Sequence, residues 1–260
     1  MLSAHEDLIG YKFMLAFKGH TPPARILDWI ANRRVGGFSL FRPHNYDTPS
    51  QVRELTAGLQ RAAQLAAMGE GTTQFAGNMA LGATRDPELA RHVGRAIGLE
   101  LAAMGVNVNY APVLDLNTNP RNPSLGIRAF GDEPNLTAML GAALVEGLQS
   151  AGVAATLKHF PGKGEAAVDS HYKMPVINHS RERLDAVELP PFRAGIAAGA
   201  KLLMAGHFAI PALTGTSAYP ATVARRVMTD FARGEMGFDG VIITDALDMG
   251  AITQGAGQII

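Results

Sequence analysis

The sequence predicts an α/β protein arranged as a TIM-like (β/α)8 barrel, incomplete or remodelled, and three observations predict it. Short apolar, strand-like runs alternate with helix-like segments, which favours a parallel sheet with right-handed crossovers. That β/α unit recurs at loose spacing without sequence identity. Polar residues stand repeatedly at the C-terminal ends of the runs: Asp115, Lys158 with His159, His207 and Asp245. In a closed barrel those ends converge on one mouth, where active sites lie. An open doubly wound sheet would spread them along an edge, and no G-x-G-x-x-G follows a strand here. The 260 residues fit one barrel domain spanning 1–260, since such barrels run to about 250 residues.

The elements follow in order. Lys12 to Phe17 is a short apolar run closed by Lys18-Gly19 and reads as a buried strand. Pro22-Pro23 opens a helix to about Arg34, with Ile26, Leu27 and Ile30 at helical spacing. Gly36 to Phe41 is a second strand, and Thr48-Pro49 starts a helix carrying Val52, Leu55 and Leu59. From Gln60 to Met79 no apolar strand is found. Pro87 begins a long helix through Met104, ended by Gly105. Val106 to Tyr110 is a strand leading into Ala111-Pro112-Val113-Leu114-Asp115, and Pro134 opens a helix through Ser150. Val153 to Leu157 delivers Lys158 and His159 to a strand end. Arg181 to Gly199 reads as a helix broken by Pro190-Pro191. Lys201 to Ala205 is a strand ending at His207, Thr222 to Met236 is a helix, and Gly240 to Thr244 is a strand ending on Asp245.

Composition excludes several classes. Lys plus Arg and Asp plus Glu are 23 each, so neither a nucleic-acid partner nor an acidic interaction arm is indicated. There is no cysteine, hence no disulfide and no thiol nucleophile. The opening residues lack the basic n-region of a secretory signal, and no run reaches the roughly 20 apolar residues of a spanning helix. A cytoplasmic protein with no membrane association is the expectation. The oligomeric state stays open.

The stretch LKHFPGKGEAAVDSH, Leu157 to His171, concentrates the chemistry. A strand presents a cation and an imidazole. A loop broken by Pro161, Gly162 and Gly164 then carries Asp169 beside His171. Asp245 facing this pair is a minimal kit for retaining glycoside hydrolysis, with a carboxylate nucleophile and a proton-transfer group opposite it. An imidazole with an ordinary pKa of about 6.5 suits the second role, and Asp169 would orient it. Arg128, Lys158 and His159 would donate to sugar hydroxyls. Each residue also has a structural alternative. Asp245 would cap the following helix, with Asp248 in its first turn. Lys158 would be a buried lysine paired with Asp115, and His159 and His207 hydrogen-bonded core histidines. Arg128 would bridge loops. Lys163, Glu165 and Lys173 read as solvated loop charges. Two other chemistries are open at this point: a Schiff base on Lys158, and a metal held by His159, His171, His207 and Asp245, although no tight H-x-H or H-E-x-x-H spacing occurs.

Four motifs in order, APVLDLNTNPRNP, GIRAFGDEP, KHFPGKGEAAVDSH and GFDGVIITDALDMGAI, resemble the N-terminal barrel of family 3 glycoside hydrolases. The resemblance is to the β-N-acetylglucosaminidase type and covers nearly the whole chain; VGGFSLF and the helix after it fit as well. It implies Asp245 as nucleophile, His171 as general acid/base and Asp169 as its partner. It implies that Arg128, Lys158 and His159 hold the sugar, with Asp115 in support; His207 joins them as a candidate substrate contact. No metal and no organic cofactor are implied. The implied substrates are terminal β-linked N-acetylglucosamine units, including those of cell-wall fragments in peptidoglycan turnover.

The departures carry their own expectation. The family's D-Q-E-G-G-type strand end is absent: Arg61-Ala-Ala runs directly into Gln64, as if about one strand were missing. The usual P-G-H-G histidine is Lys163, and the acid after it is Glu165. The sequence given ends at Ile260, about one β/α unit short of a full barrel. A barrel does not lose strands without exposing ladder groups. Weak or no turnover by the isolated chain is therefore expected, and a catalytically impaired, sugar-binding relative is the alternative to a working hydrolase.

Overall fold

The structure, a computed structural model, describes residues 13–33, 35, 37–41, 44–61, 73 and 75–254. The predicted gap around Arg61–Gln64 lies largely outside these residues, as do both chain ends. The chain divides into two compact units: Met1–Gln74 with Glu100–Asn107, and Phe75–Leu99 with Val108–Ile260.

In the first unit, β1 (Met14–Leu15) pairs in parallel with β2 (Gly37–Phe38). Both are shorter than the apolar runs that predict them. Helices Ala24–Arg33 and Pro49–Arg61 complete the unit's described elements up to residue 61. Phe17, Ile26, Leu55 and Leu59 bury together, with Trp29, Ile30, Phe38 and Leu40 packed on them. The apolar positions of each helix recur every three to four residues, so one stripe of each faces this cluster. Asn45 is fully buried and donates to the Phe17 carbonyl at 2.8 Å.

In the second unit, β3 (Val108–Asn109), β4 (Ala154–Phe160), β5 (Leu202–Ala205) and β6 (Val241–Thr244) form a parallel sheet in the order β3-β4-β5-β6. The described strands do not close into a barrel. Residues Ala111 to Leu114 continue alongside β4: the Thr156 amide donates to the Ala111 carbonyl at 2.9 Å and the Leu114 amide to the Lys158 carbonyl at 2.7 Å. Ala155, Thr156 and Leu157 are all fully buried, as expected of a parallel strand covered on both faces. β6 differs. Val241 is 58% exposed at the sheet's open edge.

Helix Pro87–Ala103 starts where Asp86 accepts from the amides of Glu88 and Leu89, so Asp86 is the cap that precedes the expected Pro87 start. Helix Pro134–Ser150 matches its predicted span. The helix predicted from Arg181 is divided as expected near Pro190-Pro191: Arg181–Arg183 continues as a π-turn, Leu184–Glu188, and a new helix Pro190–Ala197 follows. Helix Asn78–Thr84 and short turns Pro211–Thr214 and Gly250–Thr253 have no counterpart in the sequence reading. The core centres on Phe160, which meets Phe192 edge-on at 5.5 Å and stacks on Phe231 at 5.9 Å.

Candidate active site

Every candidate residue lies in the second unit. Asp115, His207 and Asp245 follow consecutive parallel strands or the segment beside them, and Lys158-His159 lie in the last residues of β4 itself, before Phe160, so all stand toward C-terminal strand ends. Parallel pairing alone requires this: strands running one way end on one edge.

Asp115 and His159 form the buried base of the site. Asp115 has no exposed surface and His159 is 4% exposed. The Asp115 carboxylate accepts from the His159 ring Nδ1 at 2.6 Å, from the His159 amide at 3.2 Å and from the Lys163 amide at 2.8 Å. Burial works against ionisation of Asp115. His159 and Lys163, which both hydrogen-bond the carboxylate, outweigh it and hold the carboxyl below the ordinary range. Burial likewise pushes His159 down to about 4, against the pull of Asp115. At neutral pH the pair is thus a carboxylate and a neutral ring. An ionised carboxylate only accepts, so the ring proton sits on Nδ1 and the Nε2 lone pair points outward. Nε2 lies 4.0 Å from Asp245 Oδ2. The peptide bonds Lys158–His159, Phe160–Pro161 and Ala111–Pro112 are cis.

The structural alternative in which Lys158 pairs with Asp115 is not found: Asp115 is taken by His159 and the Lys163 amide. No ion pair of Lys158 is found among the described residues. Burial, and then the nearby Arg128 cation, lower Lys158 to about 8, with Asp245 and Asp115 opposing. It remains mainly a cation at neutral pH. Arg128 is exposed on a 3₁₀ turn, Gly126–Arg128, and its guanidinium donates to the Ser124 carbonyl at 2.7 Å.

Asp245 keeps 21% of its side chain exposed. Burial disfavours its charge, but His159, the Ala246 amide, His207 and Lys163 together hold the carboxyl below its usual range. The Ala246 amide donates to Asp245 Oδ1 at 2.9 Å. Such a carboxylate is charged, partly open and fixed by backbone, as a nucleophile must be.

The acid/base candidates meet as predicted. His171 Nδ1 lies 2.7 Å from Asp169 Oδ1, and the His171 amide donates to the same oxygen at 3.0 Å. The two bonds from His171 outweigh burial and keep Asp169 below its ordinary range. With Nδ1 donating, Nε2 is left for proton transfer. The His171 side chain is 59% exposed. It makes no ion pair with Asp245 among the described residues.

His207 is a correction. It is fully buried, and both ring nitrogens are engaged: Nε2 donates to the Ala246 carbonyl at 2.9 Å, and Nδ1 lies 2.8 Å from the Thr222 hydroxyl. No ring nitrogen is left for a sugar. Burial lowers its pKa and keeps it neutral. Its role is to hold the turn beside Asp245.

Lys163 is the second correction. It reads as a solvated loop charge yet is 2% exposed. The loop after β3 grips its neighbourhood: Asn122 donates to the Lys163 carbonyl at 3.0 Å and to the Gly164 carbonyl at 2.9 Å. A Cβ on Gly164 would overlap the Leu116 carbonyl, so only glycine fits there. Glu165 accepts from the Thr118 hydroxyl at 2.8 Å. No cue within the sequence marks Lys163 as buried, because its cover comes from a distant loop. Among the described residues no group of His, Cys, Asp and Glu could hold a metal, so the four candidate ligands are not gathered into one set.

The parallel α/β scaffold thus presents a charged carboxylate at the end of β6 and an aspartate-oriented imidazole on the loop after β4. The comparisons with known proteins give the family. Residues 14–258 match the family described as glycosyl hydrolase family 3 N terminal domain, and the chain belongs to it. A β-hexosaminidase A of Pseudoalteromonas piscicida is 35% identical over 295 residues, covering 95% of this chain and 49% of that protein. That aligned length exceeds the 260 residues of the chain, so the relative carries residues this chain lacks within the matched span. A family 3 β-N-acetylglucosaminidase from Paenibacillus sp. superposes with a TM-score of 0.91 at 41% identity, over 99% of this chain and 52% of that one. A β-N-acetylhexosaminidase from Beutenbergia cavernae gives 0.85 at 27% identity, over 98% and 81%. The chain thus spans about half the length of the first two of these proteins. The expected barrel type agrees with these neighbours.

Proposed function

We propose that the chain carries the reacting subsite of a retaining β-N-acetylhexosaminidase that removes terminal β-linked N-acetylglucosamine. The observation that carries this reading is a partly open, ionised Asp245 at the end of β6 together with an Asp169–His171 dyad on the loop after β4, whose ring Nε2 has no hydrogen bond among the described residues. In the first step the Asp245 carboxylate attacks the anomeric carbon. The glycosidic C–O bond breaks, and the Nε2 proton of His171 goes to the departing oxygen. In the second step neutral His171 takes a proton from water, whose oxygen attacks the same carbon. The ester bond to Asp245 breaks and the β configuration is restored. Asp169 steadies the imidazolium through Nδ1. Arg128, Lys158 and the outward lone pair of His159 suit the binding of sugar hydroxyls. Carbohydrate units of cell-wall fragments fit this chemistry, and it needs no cofactor.

An activated 5-fluoro N-acetylglucosaminyl donor tests the reading. The expected result is a covalent mass increment on the peptide bearing Asp245, lost in Asp245→Ala. Sugar binding without an adduct would instead assign the chain to the impaired, sugar-binding alternative.

A further inference from the structure

The loop that bears the dyad is tied at its far end to the segment that follows the nucleophile. The Gly250 amide donates to the His171 carbonyl at 2.9 Å, and the Ala251 amide to the Ser170 carbonyl at 3.0 Å. Ser170 is 2% exposed between its two functional neighbours, and its buried hydroxyl has no partner among the described residues, so the loop is pressed down at this point. The approach is close. A Cβ on Gly250 would stand 2.5 Å from the Tyr172 carbonyl oxygen and 2.8 Å from that of His171. Real Cβ atoms do not approach carbonyl oxygens so nearly, and both obstacles are backbone. The segment is itself anchored. His207 Nε2 and the Met249 amide both donate to the Ala246 carbonyl, at 2.9 and 3.2 Å, and the Ala246 amide holds Asp245. One short stretch, 245–251, therefore fixes the nucleophile at one end and receives the dyad loop at the other.

We propose that Gly250 is a positioning residue for the acid/base, because it alone lets the loop carrying Asp169 and His171 dock on the segment carrying Asp245. This rests on the function proposed above for that site. Any side chain at 250 lifts the loop and uncouples His171 from Asp245, while Asp245 itself, held by Ala246 and His207, keeps its place.

Hydrogen exchange on the parent chain tests the docking without any activity. The amides of Gly250 and Ala251 are expected to be protected there, and to exchange freely in Gly250→Ala while β4 and β5 stay protected. Free exchange of both amides in the parent overturns the proposal, and this measurement decides even if the variant fails to fold. Kinetics tests the catalytic half. Phenyl β-N-acetylglucosaminide needs acid assistance, and Gly250→Ala is expected to lose on the order of 10²-fold on it. The 2,4-dinitrophenyl glycoside needs none, so its glycosyl-enzyme should form within a few-fold of the parent rate. Azide, which attacks without a base, should restore turnover. Equal losses on both substrates, or no loss on either, overturn positioning. If the parent forms no glycosyl-enzyme while its amides at 250 and 251 are protected, the hydrolase reading fails and takes the catalytic half with it, whereas the docking stands.

Discussion

Asp115→Ala removes one acceptor from three donors at once. In the parent, the carboxylate receives the His159 ring at 2.6 Å, the Lys163 amide at 2.8 Å and, more weakly, the His159 amide at 3.2 Å. Hydrogen bonds to a charged group contribute roughly 1.5–3 kcal/mol each. The two short bonds dominate, so the loss is about 4 kcal/mol. At roughly 2–4 °C per kcal/mol for a protein of this size, the thermal midpoint should fall by about 12 °C. Scanning fluorimetry and urea unfolding at pH 7 measure it. Asp115→Asn separates charge from shape: its oxygen can still serve the Lys163 amide, while its amide group forces the His159 proton from Nδ1 to Nε2. The asparagine variant should lose about half as much stability. A midpoint shift for Asp115→Ala smaller than about 3 °C would refute the reasoning, because three buried donors cannot lose their acceptor without cost.

Two further outcomes follow from the titrating groups. His159 titrates at about 4 in the folded chain against an ordinary value of 6.5. The unfolded chain therefore binds more protons between those values, so stability is complete above pH 6.5 and falls as the pH drops toward 4, by up to about 3 kcal/mol. His207, lowered in the same direction, adds to the slope. Urea midpoints across this range should show the decline, and His159→Gln should flatten it; a parent profile already flat there would contradict the assignment. Lys158, lowered to about 8, should lose its charge on mild alkalinisation and with it its grip on the sugar. The alkaline limb of kcat/KM is expected near pH 8 and should move up in Lys158→Arg, whose guanidinium stays charged. An unmoved limb would assign it to another group.

The strand ends were legible because their chemistry departs from their context. Apolar runs that stop on Lys158-His159 or Asp245 carry two periodic signals at once, and parallel pairing places both on one edge. The Asp169–His171 contact was legible for a more local reason, since two residues separated by one in a turn can bond without any help from the fold. His207 and Lys163 were misplaced for the opposite reason. A histidine at a strand end reads alike whether its ring nitrogens face a ligand or, as here, Thr222 and Ala246. A lysine between glycines reads as solvated until Asn122 and Thr118, contributed from far along the chain, fold a second loop over it.

By itself the sequence determined the α/β alternation, the parallel direction of the strands and the residue types at their ends, because these depend on periodicity and composition within each segment. It also showed the lack of a D-Q-E-G-G strand end, which is a matter of residues present or absent. Only the tertiary structure decided that Asp115 belongs to His159 rather than Lys158, and that burial holds His159 neutral. It alone showed that a glycine at position 250 meets the carbonyls of His171 and Tyr172. Each of these depends on distances between residues remote in the chain and on the exclusion of water between them. Neither quantity is written in any single stretch of the sequence.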